Sequence, residues 1–230
     1  MDDMAILDSG PIYRETIVGR FPVEPWNTWS NLVFLFVVLY WGWHVYRDMR
    51  GHWFLVSALP VLFIGFVGGT LFHGTRGHEA WLLMDWVPIL VLCMACVVLF
   101  ARRAAIPWPV LGALLLLPFL LRWLTFHVLN VQPAAGMNVG YAVMGLVVLL
   151  PIVQHMRVNH WHYWSWMTAS ALSFAVAVTF RSLDHSPYMA WMPMGTHWLW
   201  HTFGGIAVFF LVGYIWMDDR RRLRDGAISA

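Results

Sequence analysis

Apolar runs of about twenty residues, the length that crosses ~30 Å of hydrocarbon as a helix, recur seven times along the chain. They fall near 27–46, 53–74, 80–101, 107–127, 136–155, 161–181 and 195–216. Short breaks such as "RDMRGH", "GTRGHE" and "ARRAAIPW" separate them, and Pro133 and Gly136 in "NVQPAAGMN" divide the fourth run from the fifth. A backbone surrounded by lipid must satisfy its own hydrogen bonds, so each run predicts a helix. The expected fold is all-α: a single polytopic membrane domain, 1–230, with seven transmembrane helices. Residues 1–26 form a segment ahead of the first helix and 217–230 a basic tail after the last.

The arginines give this frame a direction. The N-terminal segment and the second, fourth and sixth connections hold Arg14, Arg20, Arg76 and Arg181. The opposite side holds Arg47, Arg50, Arg102, Arg103, Arg157, Arg220, Arg221, Arg222 and Arg224, the last four in the tail "DDRRRLRD". The positive-inside rule then predicts the N-terminus outside and the C-terminus inside. The acidic start "MDDMAILDSGPIYRETIVGR" has no continuous apolar core and is not read as a cleaved signal peptide.

Composition agrees with this picture. The chain has 230 residues, 60% of them hydrophobic and 11% charged, more apolar surface than a water-soluble domain of this size can hide. The formal net charge of +2 carries no nucleic-acid signature, and no nucleic-acid partner is expected. Cys93 and Cys96 lie within an apolar run and read as small packing residues rather than a redox pair.

Ionisable residues within spans are costly and mark function or a buried pair. In the predicted topology, His73 ends the second span, Asp85 opens the third, and His197 and His201 lie early in the seventh, so all four share one depth on the outer side. His197 and His201, four residues apart, are about 40° apart around a helix and ~6 Å along it. A metal site, a haem site and interhelical hydrogen bonding are the candidate explanations. The flanking Trp198 and Trp200 leave a haem no clear opening. Three imidazoles from two helices match a catalytic zinc with one open position. Asp85 is placed to take a proton from a water there or to orient a ligand. Arg122, inside the fourth span, has three open readings: snorkelling, pairing with a carboxylate, or holding a lipid headgroup.

Four stretches in order, "EPWNTWSN" before the first span, "FHGT" ending the second, "LLMDWVP" opening the third and "GTHWLWH" in the seventh, resemble the alkaline ceramidases. The similarity runs from about residue 8 to 216 and extends to the superfamily shared with the adiponectin and progestin receptors. It implies Zn²⁺ held by His73, His197 and His201, with Asp85 assisting water in hydrolysis of a lipid amide such as ceramide or another N-acyl lipid. The substrate would enter from the bilayer. The implied setting is a bacterial inner membrane with the site toward the periplasm. A receptor or sensor with a structural zinc and little turnover is the alternative. The family serine one turn before the second-span histidine falls at Gly69, which leaves Thr70 as the candidate hydroxyl. The resemblance also implies Ca²⁺ near Glu24 and Asn27, with Asp8 and Glu15 as upstream acidic matches; a helix cap with polar packing is the alternative there. Arg181 and Asp184 in "FRSLDHS" are candidate headgroup contacts, or a simple pair at a helix end. Oligomeric state is left open.

Overall fold

The structure, a computed structural model, describes residues 6–129 and 133–226. Its elements in chain order are α1 (Pro25–Ser30), α2 (Leu32–Arg47), α3 (Trp53–Thr75), α4 (Glu79–Arg103), α5 (Trp108–His127), α6 (Pro133–Val158), α7 (Trp164–Leu183) and α8 (His197–Arg224), with one 3-10 turn at Pro187–Met189. Among the described residues there is no strand, and the protein is all-helical. Among the described residues, five stretches are long and apolar enough to cross a membrane: α3, α4, α5, residues Val139–Val158 of α6, and α8. α2 and α7 coincide with the first and sixth apolar runs. α2 is short, at 16 residues, and α7 carries four Ser and two Thr residues among its apolar ones. Part of the "NVQPAAGMN" break, residues 130–132, lies outside the described residues, as do the first five residues and the last four.

The first run differs from expectation by a division at Asn31. Pro25, at the start of α1, suits a first helical turn, where its missing N–H has no partner to lose. The carboxylate of Glu15 accepts the N–H of Trp26 (3.0 Å) and of Asn27 (2.6 Å), satisfying donors that a helix start leaves open. Asn31 then turns its side-chain amide back onto the Asn27 carbonyl at 2.9 Å, competing with the backbone ladder where α1 gives way to α2.

The contacts of the chain gather in two compact units. The larger comprises residues through Ile89 together with those from Ser165 onward. Here α3 and α8 run in opposite directions: His52 at the start of α3 meets Asp219 near the end of α8, and His73 at the end of α3 meets His201 near its start. Small residues bring the helices together. A Cβ on Gly68 would lie 2.4 Å from the Met84 backbone, so α4 crosses α3 at closest approach there. Polar side chains join helices as well: the Trp41 indole donates to the Phe209 carbonyl (3.1 Å) and the Ser170 hydroxyl to that of Ala207 (2.8 Å). Such bonds between membrane helices contribute ~0.6–2 kcal/mol each.

The smaller unit, Leu90–Trp164, packs around Val97, Ala101, Leu111 and Val147. Leu116, Phe119, Leu120 and Trp123 on α5 are exposed, the pattern of a lipid-facing surface. Arg122 is exposed among them, with its guanidinium 4.8 Å from the Phe126 ring.

The N-terminal segment before α1 is not a free tail. Its backbone N–H groups at Leu7, Val23 and Glu24 donate to the carbonyls of Arg76, Gly74 and His73. Arg14 donates to the carbonyls of Met189 and Ser186 in the α7–α8 connection (2.6 and 2.9 Å). The segment therefore straps the end of α3 to the approach to α8.

Candidate metal centre

His73, His197 and His201 converge. Each offers a ring nitrogen, and these three atoms lie within 4.8 Å of one another. A single point can then lie within about 2.8 Å of all three, so sub-ångström closure brings them to the 2.0–2.1 Å of a Zn–N bond. The rings are 0%, 2% and 3% exposed, burial that an imidazole accepts only with partners. Among the described residues this is the group of three His, Cys, Asp or Glu side chains that meets.

The partners fix the tautomers. The Glu24 carboxylate accepts from His73 Nδ1 at 2.5 Å, and His73 Nε2 is buried with no hydrogen-bond partner. His201 Nδ1 lies 3.1 Å from the Asn27 carbonyl, which can only accept, and 2.8 Å from the Ser30 hydroxyl. In both rings Nδ1 carries the proton, so Nε2 keeps its lone pair for a metal, the arrangement that carboxylates and carbonyls impose on metal-binding histidines. The donor set fits zinc.

His197 is positioned through its backbone. Asp184 Oδ1 accepts the N–H of Thr196 (2.7 Å) and of His197 (3.0 Å), placing a carboxylate at the positive end of α8. Its other oxygen accepts the N–H of Arg14 at 3.0 Å. The Tyr13 ring stacks on His197 with centroids 3.8 Å apart and lies 5.3 Å from His73, covering the centre from the strap.

The structure places the remaining sequence candidates as follows. Asp85 is beside Gly69: a Cβ at that glycine would lie 2.6 Å from Asp85 Oδ1 and 2.9 Å from Asn31 Oδ1. Its charged neighbours are His73, Arg181 and Glu24, which puts it at the centre. The space a serine at 69 would fill is thus occupied by the aspartate. Thr70 donates its hydroxyl to the Phe66 carbonyl one turn back along α3, at 2.8 Å. Arg181 Nη1 is 3.4 Å from His197 Nδ1, and its guanidinium lies 5.2 Å from the Trp200 ring. Asp184 serves the start of α8 as described, accepting the N–H groups of Arg14, Thr196 and His197.

The residues expected around calcium also come close to one another, on an arginine. Asp8 receives Arg76 side-on, Nε to Oδ2 at 2.8 Å and Nη2 to Oδ1 at 2.5 Å. Arg76 Nη1 donates to Glu24 Oε1 at 2.8 Å, an oxygen that also accepts from the Thr16 hydroxyl at 2.6 Å. The Asn27 amide donates to the other Glu24 oxygen at 3.2 Å, and Glu15 faces the start of α1. Burial pushes the Glu24 carboxyl up, but the hydrogen bond and charge of His73, the Thr16 hydroxyl and the Arg76 charge outweigh it and hold the carboxyl at about 2. Burial pushes Glu15 the other way, above the usual carboxylate value, despite its two backbone bonds.

Arg76, Tyr13 and Ser30 were not identifiable from sequence patterning. Arg76 read only as a loop charge. Yet it ends α3 with φ +49°, a left-handed conformation that costs a non-glycine residue roughly 1–2 kcal/mol.

No family model matches the chain, and no curated protein matches it in sequence.

Proposed function

We propose that the chain is a zinc-dependent membrane hydrolase of a lipid amide, ceramide or another N-acyl lipid. The observation that carries this reading is the trio of buried imidazoles, two of them with Nε2 lone pairs preset by Glu24 and Asn27, beside the carboxylate of Asp85. A zinc ion held there would supply a Lewis acid and an activated water. Asp85 takes the proton from the attacking water and hands it to the leaving amine. Glu24 keeps the His73 ring turned inward, while Tyr13 limits entry of bulk water over His197. The apolar helices support a substrate that arrives from the bilayer. In this reading seven helices span a bacterial inner membrane, N-terminus out, and the chemistry faces the periplasm.

Metal analysis of purified protein, with a panel of lipid amides as substrates, tests the proposal. Stoichiometric zinc and amide hydrolysis are expected. Asp85→Asn should keep the zinc and lose about 100-fold or more in rate, within the range a positioned base contributes. A zinc-loaded wild type that turns over no lipid amide overturns the enzyme reading in favour of a receptor-like protein with a structural zinc.

A further inference from the structure

Arg76 is among the largest fully buried side chains of the protein, at 1% exposure. Every hydrogen-bond acceptor of its guanidinium is an oxygen: both carboxylate oxygens of Asp8, one of Glu24, and the carbonyls of Pro11 (2.9 Å) and Gly10 (3.2 Å), while the Phe72 ring lies 4.6 Å from it. A set of oxygens closed by an aromatic face suits a guanidinium, and here an arginine fills it. Glu24 joins this enclosure to the histidines, since one of its oxygens faces Arg76 and the other faces His73. The backbone at Arg76 is left-handed, where glycine is the unstrained choice, and the guanidinium's bonds to Asp8 and Glu24 offset that cost.

We propose that Arg76 is the built-in cation of the metal centre, a positioning residue that acts through Glu24 to orient His73. The inference rests on the reading of the three histidines as metal ligands. The fork is matched to its site: a guanidinium grips Asp8 side-on while a further nitrogen reaches Glu24, which a point-like ammonium cannot do. Without the fork, Glu24 Oε1 keeps the Thr16 hydroxyl but loses its charged partner, and the carboxylate holds the His73 ring less firmly. The enclosure then needs no second metal ion.

The test uses the full chain in detergent, loaded with Co²⁺ as a visible probe. Its absorption reports ligand geometry, and competition with a chelator reports affinity. Arg76→Met should weaken cobalt binding about 10–100-fold, the usual loss when a ligand's supporting partner is removed, and should shift the visible bands. Arg76→Lys should show the same shift in smaller measure, and remains informative where Arg76→Met fails to fold. Guanidinium added below unfolding concentrations should restore the wild-type spectrum to Arg76→Met. Ser9→Ala, which removes the strap's hydroxyl bond to Glu79 (2.8 Å), should leave the spectrum unchanged.

An unshifted spectrum and unchanged affinity in both Arg76 variants overturn the proposal. So does a Ser9→Ala shift as large as that of Arg76→Met, because the effect would then run through the strap and not through Glu24. A wild type that takes up no cobalt overturns the metal-centre reading itself, and this inference with it.

Discussion

Two histidine–carboxylate pairs are buried at opposite ends of α3. At one end His73 meets Glu24 at 2.5 Å, and at the other His52 meets Asp219 at 3.1 Å. By residue type and burial the two are alike, yet their surroundings differ. His52 lies nearly parallel to the Trp216 ring, with centroids 6.1 Å apart, and the pair joins the start of α3 to the end of α8. His73 instead has two more imidazoles within 5.4 Å between ring centroids, an arginine behind its carboxylate and an aspartate one helical turn away. A buried pair alone fastens helices. Convergence of several such groups on one point, with a lone pair left over, is what provides for metal chemistry.

The largest expected effect separates the two ends directly. His73→Ala should abolish stoichiometric zinc, whereas His52→Ala should retain it and lower thermal stability. Removing the His52 ring deprives Asp219 of this partner in a buried site, a loss of about 1–3 kcal/mol. Metal content by mass spectrometry and thermal unfolding of the same preparations check both. Equal zinc loss in the two variants would erase the distinction.

The carboxylates give the next contrast. Glu24→Gln should weaken zinc about 10–100-fold, while Asp219→Asn should leave affinity unchanged. The pH dependence has a defined sign. Glu24 is held at about 2 against a reference of 4.5, so its ionised form stabilises the fold above pH 4.5 and that contribution is lost as pH falls toward 2. In metal-free protein, the stability gap between wild type and Glu24→Gln should therefore narrow on acidification through that window. Glu15 works in the opposite sense: its raised value favours the fold at low pH and that benefit disappears as pH rises through it. A Glu15→Gln background removes this opposing contribution from the comparison.

The meeting of His73, His197 and His201 was legible in the sequence because polar groups are conspicuous in apolar runs. The spacing of His197 and His201, and a shared depth with His73, can be read from helix geometry alone. The seven apolar runs likewise match seven long helices to within a few residues at most ends, although among the described residues only five stretches are apolar enough over sufficient length to stand out as spans. Arg76 was invisible for the reason that makes it useful. An arginine between two helices ordinarily meets water, and nothing local tells that residues 8–11 will fold over it. Asp8 and Glu24 could be matched as acidic residues, but which cation faces them depends on contacts more than fifty residues away. The division at Asn31 was hidden because one side-chain bond decides it.

Gly69 supplies the smallest change in metal binding and bears on what else distinguishes the His73 end. A Cβ there would come within 2.6 Å of Asp85 Oδ1 and 2.9 Å of Asn31 Oδ1, closer than either oxygen tolerates without moving. Gly69→Ala should therefore push Asp85 away by several tenths of an ångström while leaving the His73–Glu24 bond intact. Zinc content should stay stoichiometric, and amide turnover should fall on the order of tenfold, short of the ~100-fold that a 1 Å misplacement can cost. Gly112→Ala on α5, where nothing lies within 4 Å of the added atom, should change neither quantity. Zinc held with slowed turnover would separate the aspartate's role from that of the imidazoles. Unchanged turnover in Gly69→Ala would instead leave the three histidines as a metal site whose neighbouring carboxylate takes no part in proton transfer.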